Sequence, residues 1–400
     1  MPSPRSTVFA GAACLILAAC NQNPAATVAP TAISQAQSCA AAGQWLNQAG
    51  MVRTSGTPYA EMAAADYLLL GESHDNLEHH RFQLHTLASI HALRPSLAIG
   101  FEMLPRSAQP ALDQWVAGEL SEAEFLEASG WYSVWGFNPD LYWPLFHYAR
   151  LHQVPAIAMN VDRSLVRAVG QQGWAAIPAE DRVGLSDPAP ASDAYRDWLF
   201  EIYSAHGRGT DISPEDEGFA RFVEAQLTWD RAMAEALFDF QTAHPDTLMV
   251  GILGSGHVRF GYGVPHQLQD LGATKIQTAL PAATDECAAV ETGIADHLFV
   301  VSADPALAFL PPAARLGIRF DQQADGLIVR EIVPGSVAEQ AGLAQGDIIT
   351  MAAGQKLSAA SNLASIVRQQ PPGSILPLWV RRNDAIVEVL ARFPGQFDDE

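Results

Sequence analysis

The chain has 400 residues, of which 48% are hydrophobic, so it is too long for one ordinary domain and has enough apolar side chains for a folded core. Its 23 Lys and Arg residues are outnumbered by 44 Asp and Glu residues, which gives a formal net charge of −21. This acidic balance excludes nucleic-acid binding through bulk electrostatics, because such binding needs a basic surface. No apolar run reaches the roughly 18 residues that span a bilayer, so an integral membrane transporter is excluded as well.

The first 20 residues have the pattern of a secretion signal. An apolar stretch over 8–19 ends in the tetrapeptide LAAC at Cys20, which resembles the bacterial lipobox. We therefore expect a lipoprotein signal peptide at 1–19, lipidation of Cys20 with acyl chains such as palmitate, and a flexible tether over 20–38. An ordinary signal peptide with an incidental cysteine is the alternative. Asn21 favours the periplasmic face of the outer membrane over the inner membrane of the bacterial cell envelope.

Two further cysteines, Cys39 and Cys287, remain in the mature chain. Because the expected compartment is oxidising, we predict that they form a disulfide between the start of the main domain and its far end. Two unpaired buried thiols are the alternative. Two cysteines this far apart do not make a metal site.

Residues 39–305 alternate short apolar runs with helical patterns, which is typical of an α/β domain with a mostly parallel sheet, flanking helices and a helical insertion. Four of the apolar runs end in polar residues. These are 66–70 before Glu72 and His74, 96–101 before Glu102, 154–159 before Asn160, and 247–253 before His257. Because ligands bind at the carboxyl ends of strands in open α/β sheets, we expect these side chains to form one site.

Glu72, His74, Glu102 and His257 would give this site two imidazoles and two carboxylates. One interpretation is a catalytic acid/base group, in which a glutamate orients a histidine that titrates near neutrality. The other is a divalent metal bound by His74, Glu102 and His257, with an open position for water. The spacing does not choose between them, and histidines with a structural role are the alternative to both.

Two helices are expected to bring further polar side chains to the site. The first begins after Asp75 as its N-cap and has His80 on its apolar stripe. The second has Gln226 and Asp230 on its apolar face. Buried polar groups need partners, so these two side chains either satisfy loop backbone groups or, together with Asn160, orient the residues of the site.

The stretch 131–148 is rich in aromatic side chains. They are Trp131, Tyr132, Trp135, Phe137, Tyr142, Trp143, Phe146 and Tyr148. Such rings suit a flat apolar ligand such as a porphyrin, and a tyrosinate can be an axial ligand of haem iron. A helical hairpin that packs its own aromatic residues into a core is the alternative. The segment 175–217 is expected to be a mobile cap or a solvated insertion.

Glycine-rich turns alternate with strand patterns between residues 309 and 394. The segments are Leu316-Gly317-Ile318, the strand pattern 326–333, Pro334-Gly335-Ser336 and Gly346-Asp347-Ile348-Ile349. This series resembles a bacterial PDZ domain. The resemblance implies a small β-rich domain that binds an extended peptide or a protein C-terminus, with Leu316, Gly317 and Ile318 at the binding edge. A PDZ domain that only packs on its neighbour is the alternative.

Further motifs follow one another over about residues 60–300. They are Gly71–His74 and Gly254–His257, both of the form G-x-x-H, then Phe101-Glu102-Met103, Tyr142-Trp143-Pro144, Ala158-Met159-Asn160, Gln226 with Asp230, and Arg259. This series resembles the ChaN family, which shares a superfamily with Tiki and TraB proteins and, more distantly, with erythromycin-esterase-like enzymes. The resemblance implies an iron-regulated, haem-binding bacterial lipoprotein in which a tyrosine coordinates the haem and a homodimer encloses two haems.

Two functional hypotheses follow from this resemblance. In the first, the protein captures haem for iron acquisition, with Tyr142, Tyr262, Arg259 and His80 as candidate cofactor-binding residues. In the second, it is a protease-like or esterase-like hydrolase that activates water with or without a metal, as the relatives within the superfamily suggest. The PDZ domain would recognise a protein partner in the first case and deliver or regulate substrate in the second.

Overall fold

The computed structural model describes residues 40–206, 213–310, 313–357 and 360–396. The expected signal peptide, the lipidation site Cys20, the tether and Cys39 lie outside these described residues. Within the described ranges, no helix combines the length and the apolarity needed to cross a membrane.

The larger domain is built on a seven-stranded sheet. Its strands are β1 (Trp45–Asn47), β2 (Tyr67–Glu72), β3 (Leu97–Pro105), β4 (Ala156–Asn160), β5 (Leu248–Gly254), β6 (Ile276–Ala283) and β7 (His297–Val301). The strand order is β1-β7-β6-β2-β5-β3-β4. Neighbouring strands are parallel except for the antiparallel pair β1 and β7. The prediction of a mostly parallel sheet is confirmed.

Helices cover both faces of this sheet. They are α1 (Tyr59–Ala63), α2 (Leu77–Leu93), α3 (Gln109–Ala117), α4 (Glu122–Ala128), α5 (Trp131–Val134), α6 (Trp143–His152), α7 (Arg163–Gln172), α8 (Asp193–His206), α9 (Glu217–Ala243), α10 (Val264–Asp270) and α11 (Pro305–Ala308). Alternate residues of β2 enter two different cores, since Leu68 packs with Phe82 of α2, and Leu69 packs with Leu237 of α9. β2, β3 and β5 are buried along their whole length, so their polar residues are confined to the carboxyl-terminal part of each strand.

A side chain covers the outer edge of β4, the last strand of the sheet. Gln109, at the start of α3, donates from Nε2 to the backbone oxygen of Ala156 at 2.8 Å. Its Oε1 accepts a hydrogen bond from the backbone N–H of Ala158 at 2.7 Å. The carboxamide therefore takes the place of a neighbouring peptide group and satisfies backbone groups that an edge strand would expose.

Helix α2 begins one residue later than the sequence pattern suggested. Asn76, rather than Asp75, is the N-cap, and its Oδ1 accepts a hydrogen bond from the backbone N–H of Glu78 at 3.0 Å. An asparagine satisfies the first backbone donors of a helix as well as an aspartate does.

The C-terminal domain is an antiparallel sheet with two short helices. Its elements are β8 (Ile318–Gln323), β9 (Gly326–Ile332), α12 (Val337–Gln340), β10 (Ile348–Ala352), β11 (Gln355–Lys356), α13 (Ala360–Arg368), β12 (Ile375–Arg382) and β13 (Ala385–Arg392). The order is β13-β12-β10-β9-β8, and β11 pairs with β10. A core that includes Leu327, Ile349 and Leu378 holds the domain together. The prediction of a small β-rich C-terminal domain is confirmed.

Candidate functional site

The two G-x-x-H sequences lie side by side at the carboxyl ends of β2 and β5, where Glu72 pairs with Gly254 across the parallel strands. Neither motif glycine has room for a side chain. A Cβ at Gly71 would lie 2.2 Å from Leu280 Cδ2, and a Cβ at Gly254 would lie 2.9 Å from Cε1 of His74. The glycines therefore allow the two loops to approach each other closely.

Glu72 orients His74 in the first motif. Its Oε1 accepts a hydrogen bond from Nδ1 of His74 at 2.7 Å. The phenol of Tyr142 lies 3.4 Å from the same carboxylate oxygen and donates to the backbone oxygen of His74 at 3.2 Å. His80 Nε2 lies 3.3 Å from that backbone oxygen, and Gln83 binds the other ring nitrogen of His80 at 3.2 Å. The ring of His74 is thus fixed with Nδ1 towards a buried carboxylate.

His257, in the second motif, lies between two buried carboxylates. Its Nδ1 donates to Oδ1 of Asp230 at 2.6 Å, and the other oxygen of Asp230 accepts from the phenol of Tyr195 at 2.8 Å. Its Nε2 lies 3.5 Å from Oε1 of Glu102. The second carboxylate oxygen of Glu102 accepts the backbone N–H of Gly254. This chain of contacts joins β3, β5 and α9 at the site.

Gln226 and Asn160 lie next to these side chains but do not orient the histidines. Nε2 of Gln226 lies 3.2 Å from Nδ1 of His257, but Nδ1 carries one proton, which is directed to the closer Asp230. Asn160 donates from Nδ2 to the backbone oxygen of Glu102 at 3.1 Å. Asn160 therefore fixes the backbone of β3 rather than either histidine.

The charges at this site reinforce one another. Burial disfavours the imidazolium form of His257, but the carboxylates of Glu102 and Asp230 outweigh burial and raise the pKa of His257 to about 10. Burial also disfavours the ionised form of Glu102, but the charge and hydrogen bond of His257, the charge of His74 and the N–H of Gly254 together outweigh burial and lower the pKa of Glu102. At His74, burial lowers the pKa, but the hydrogen bond to Glu72 and the charges of Glu102 and Glu72 together outweigh burial and raise the pKa. At neutral pH, His257 and Glu102 therefore form an imidazolium–carboxylate pair.

A cavity of about 210 Å³ opens onto these side chains. Its lining includes His74, Glu102, Met103, Ser133, Trp135, Phe137, Asn160, Arg163, Trp229 and His257. The rings of Trp135 and Phe137 lie 4.6 and 5.0 Å from the ring of His74 and form one wall. Pockets for drug-sized ligands usually measure roughly 300–1,000 Å³, so this cavity suits a small ligand rather than a macrocycle.

The metal interpretation required His74, Glu102 and His257 to converge as ligands. Among the residues that the structure describes, no group of three or more His, Cys, Asp or Glu side chains is arranged to hold a metal ion. The side chains pair with one another instead, because Nδ1 of each histidine binds a carboxylate and Nε2 of His257 faces Glu102. The expected metal set is therefore not assembled as a ligand group.

Two of the four candidate cofactor-binding residues, Tyr142 and His80, are buried and engaged inside the protein. Tyr142 has no exposed surface, and burial raises the pKa of its phenol far above the usual value. His80 is 2% exposed and both of its ring nitrogens are bonded. Much of the aromatic stretch packs into the same core, Trp131 and Phe146 included. Both side chains therefore support the first motif from inside the core, and their expected contact with a cofactor stays a prediction.

The other two candidates lie at the surface beside the second motif. Arg259 is exposed and Tyr262 is half-buried. The ring of Tyr262 lies 5.2 Å from that of Phe260 and 5.6 Å from that of Tyr195, and the half-buried ring of Trp198 stacks on Tyr195 at 6.0 Å. We call the half-buried rings of Trp198, Phe260 and Tyr262 the aromatic face.

Sequence reasoning missed three residues of the site: Tyr195, Trp229 and Arg163. Tyr195 belongs to the segment 175–217, which was expected to be a cap or a solvated insertion. In the structure α8 packs against α9, and Tyr195 is fully buried. Trp229 precedes Asp230 and Arg163 follows β4, so proximity to predicted residues could have indicated these two. Nothing in the sequence indicated Tyr195.

The disulfide prediction concerns Cys39 and Cys287. Cys287 is buried and disulfide-bonded. Since Cys39 lies outside the described residues, the pairing of these two cysteines stays a prediction.

The expected peptide-binding residues of the C-terminal domain lie where β8 begins. The backbone oxygen of Leu316 accepts from Ala338 at 2.8 Å, and that of Gly317 accepts from Val333 at 2.9 Å. Ile318 is the first residue of β8, the last strand in the sheet order. Its position suits the addition of a peptide strand to the edge of the sheet.

Comparisons with solved structures support the fold of the larger domain. The structure described as cofacial heme binding to ChaN of Campylobacter jejuni shares 21% identity and a TM-score of 0.50, and the match covers 64% of this chain and 95% of that one. The HtrA3 PDZ domain bound to a phage-derived ligand shares 27% identity over 20% of this chain and 83% of that one, with a TM-score of 0.18. A serine endoprotease from Yersinia pestis shares 24% identity over 22% of this chain and 30% of that one, with a TM-score of 0.20. A search of curated proteins gave no significant match.

Family models account for both domains. Residues 314–391 match the model of the PDZ domain. Residues 59–268, more than half of the chain, match the model described as haem-binding uptake, Tiki superfamily, ChaN. This match includes both G-x-x-H motifs and the residues that surround them, and the chain therefore belongs to the ChaN family and carries a C-terminal PDZ domain.

Proposed function

We propose that this protein binds haem, with Tyr262 as the residue whose phenolate would hold the iron and with the neighbouring rings of the aromatic face against the macrocycle. The observation that carries the proposal is the family match over residues 59–268, which spans the candidate site and Tyr262. A tyrosine ligand must be able to reach the iron as a phenolate. Tyr262 is half-buried at the surface, whereas Tyr142 is enclosed in the core.

The residues at the aromatic face fit a haem better than the cavity does. The cavity of about 210 Å³ is too small to enclose a macrocycle. The half-buried rings of Phe260 and Tyr262 contact each other, and the buried ring of Tyr195 lies between Tyr262 and the half-buried Trp198. They offer a partly exposed apolar surface, and the exposed guanidinium of Arg259 suits a propionate. When bound, the haem would supply the iron chemistry, while the protein holds and orients the macrocycle.

A haemin titration of the soluble form that starts at Asn21 tests this proposal. We expect a saturable change of the haem absorption band at a defined stoichiometry. Tyr262→Phe should alter that band because the axial ligand is lost, and Tyr142→Phe, the matched control, should leave it unchanged. Unsaturable uptake would refute haem binding, and an unchanged band in the Tyr262 variant would place the ligand elsewhere.

The cellular role rests on the N-terminal sequence and on the family. The lipobox-like sequence at Cys20 supports an anchor at the periplasmic face of the outer membrane, and the family supports a role in iron acquisition. The cofacial heme binding named for the Campylobacter protein supports a homodimer that encloses two haems. The PDZ domain would recognise the C-terminus or an extended segment of a protein partner. Light scattering with and without haemin tests the dimer.

Hydrolysis is a second candidate function, and the cavity is the observation that favours it. Oriented imidazoles and a buried carboxylate line a space that a haem on the aromatic face would not fill. The lowered pKa of Glu102 keeps it ionised as a proton acceptor, and the raised pKa of His257 keeps it protonated as a donor. Water in the cavity beside Glu102 would attack the carbonyl carbon of an ester or peptide, its proton would pass to Glu102, and His257 would protonate the leaving alcohol or amine.

Turnover of a panel of ester and peptide substrates tests the hydrolase. His257→Ala should abolish any turnover while haemin binding persists, because the aromatic face does not include His257. The control is His244→Ala, at an exposed histidine beyond the end of α9. Full activity of the His257 variant would exclude the role, and loss of both activities would indicate misfolding.

A further inference from the structure

The two domains meet through helix α13 of the PDZ domain, which packs against α4. Arg368, at the end of α13, donates a hydrogen bond to Oδ1 of Asn138. Its guanidinium carbon also lies 5.8 Å from the ring centroid of Tyr132 in α5. One residue of the PDZ domain thus holds both ends of the segment 132–138 of the larger domain.

The contact between α13 and the larger domain is incompletely packed. A small cavity of about 60 Å³ remains between the domains, lined by residues that include Tyr132 and Arg368. The phenol oxygen of Tyr132 is buried and has no hydrogen-bond partner among the described residues. A buried polar group without a partner destabilises the arrangement that contains it, so the position of α13 against the larger domain is open to change.

The segment held by Arg368 is also the wall of the functional cavity. Ser133, Val134, Trp135 and Phe137 line that cavity, and the rings of Trp135 and Phe137 contact the ring of His74. Displacement of the segment would therefore change both access to the cavity and the surroundings of His74.

On its other side, α13 shares a core with the edge strand of the PDZ domain. Leu363, Ile366 and Val367 of α13 are buried in the cluster against which Ile318 and Phe320 of β8 pack. A peptide that adds to β8 places alternate side chains towards the same core. A peptide that adds to β8 therefore reaches the core to which α13 contributes.

We propose that the PDZ domain controls access to the functional cavity: α13, through Arg368, holds the wall 131–138 against His74, and movement of α13 opens or closes the cavity. An extended peptide bound at β8 would act on the cavity through this contact. The inference is independent of haem binding, since it concerns the cavity and not the aromatic face.

Backbone amide exchange of residues 131–142 in the full chain, measured by mass spectrometry, tests this proposal with three variants. Arg368→Ala should speed exchange about tenfold, because it removes a hydrogen bond made by a charged donor. Tyr132→Phe should slow exchange, because it removes the buried phenol oxygen that has no partner. The control is Lys356→Ala, at an exposed lysine of the same domain that belongs to neither β8 nor α13, and it should match the wild type.

The NMR signal of His74 Cε1–H gives the second measurement. It should shift in Arg368→Ala, because the rings of Trp135 and Phe137 contribute to its magnetic surroundings, and it should stay in place in Lys356→Ala. Unchanged exchange in Arg368→Ala would overturn the proposal. Faster exchange with an unmoved His74 signal would also overturn it, since the contact would then stabilise the helices without reaching the cavity. If Arg368→Ala fails to fold, Tyr132→Phe still tests the proposal: slower amide exchange of residues 131–142 supports it, and unchanged exchange overturns it.

Discussion

Replacement of Asp230 by Asn removes one of the two carboxylates that keep His257 protonated. Asn has nearly the same shape, and its Oδ1 can still accept from the phenol of Tyr195. With Oδ1 towards Tyr195, the amide NH2 faces Nδ1 of His257, so the change removes both the charge and the acceptor from a buried contact of 2.6 Å without opening a cavity. We expect the pKa of His257 to fall and the folded state to lose stability.

The raised pKa sets the magnitude of this loss. The pKa of His257 is about 10 in the folded protein, against about 6.5 for a histidine in an unfolded chain. At about 1.4 kcal/mol per pKa unit, protonation of His257 stabilises the folded state by about 4–5 kcal/mol below pH 6.5. This contribution falls as the pH rises and is nearly lost by about pH 10, because a group with a raised pKa stabilises the folded state only while it is protonated. Asp230 and Glu102 both contribute to this stabilisation. Asp230→Asn should therefore lower the free energy of unfolding by about 2–3 kcal/mol at pH 6 and by little at pH 10.

Guanidinium unfolding followed by tryptophan fluorescence at about pH 6 and pH 10 measures this difference. Asp239→Asn, at an exposed position of the same helix, is the control and should change the free energy of unfolding little at either pH. An equal loss at both pH values in Asp230→Asn would refute the reasoning, since it would show that Asp230 stabilises the fold by packing and not by its charge.

Three further predictions concern other parts of the larger domain. Glu72→Gln should lower the pKa of His74, because the hydrogen bond to Glu72 makes the largest contribution that raises it; an NMR titration with an unchanged pKa would contradict this. Gln109→Ala should lower the free energy of unfolding by about 1–3 kcal/mol, because two backbone groups of β4 lose their partner; urea unfolding measures it. If Cys39 and Cys287 are bonded to each other, reduction should add the mass of two hydrogens to the mature chain, and an unchanged mass would exclude the pair.

The place of the site could be predicted because the sheet is parallel and buried on both faces. Such strands appear in the sequence as continuous apolar runs, and the polar residues at their ends then stand out. Glu72, Glu102 and His257 were identified in this way, and the structure brings them to one edge of the sheet. Asp230 could be identified because a buried carboxylate on a helix face requires a partner.

The roles of the tyrosines could not be predicted in the same way. Tyr142 and Tyr262 both lie in motifs rich in aromatic residues, and a sequence does not show which phenol the packing encloses. Tyr142 is enclosed by the ring of Trp131 and by His80, which come from different elements. The raised pKa of His257 also depends on three elements that meet only in the folded chain.

Because the two G-x-x-H loops lie in close contact, each loop limits which side chains the other can carry. The missing side chain at Gly254 leaves space for His74, and the missing side chain at Gly71 leaves space for Ser255, so a substitution at either glycine disturbs the opposite loop. Evolution can therefore alter neither loop freely, although nearly half of the chain separates them in sequence. Substitutions in the two loops should show strong epistasis, and a variant library that changes only one of them would sample mostly impaired proteins.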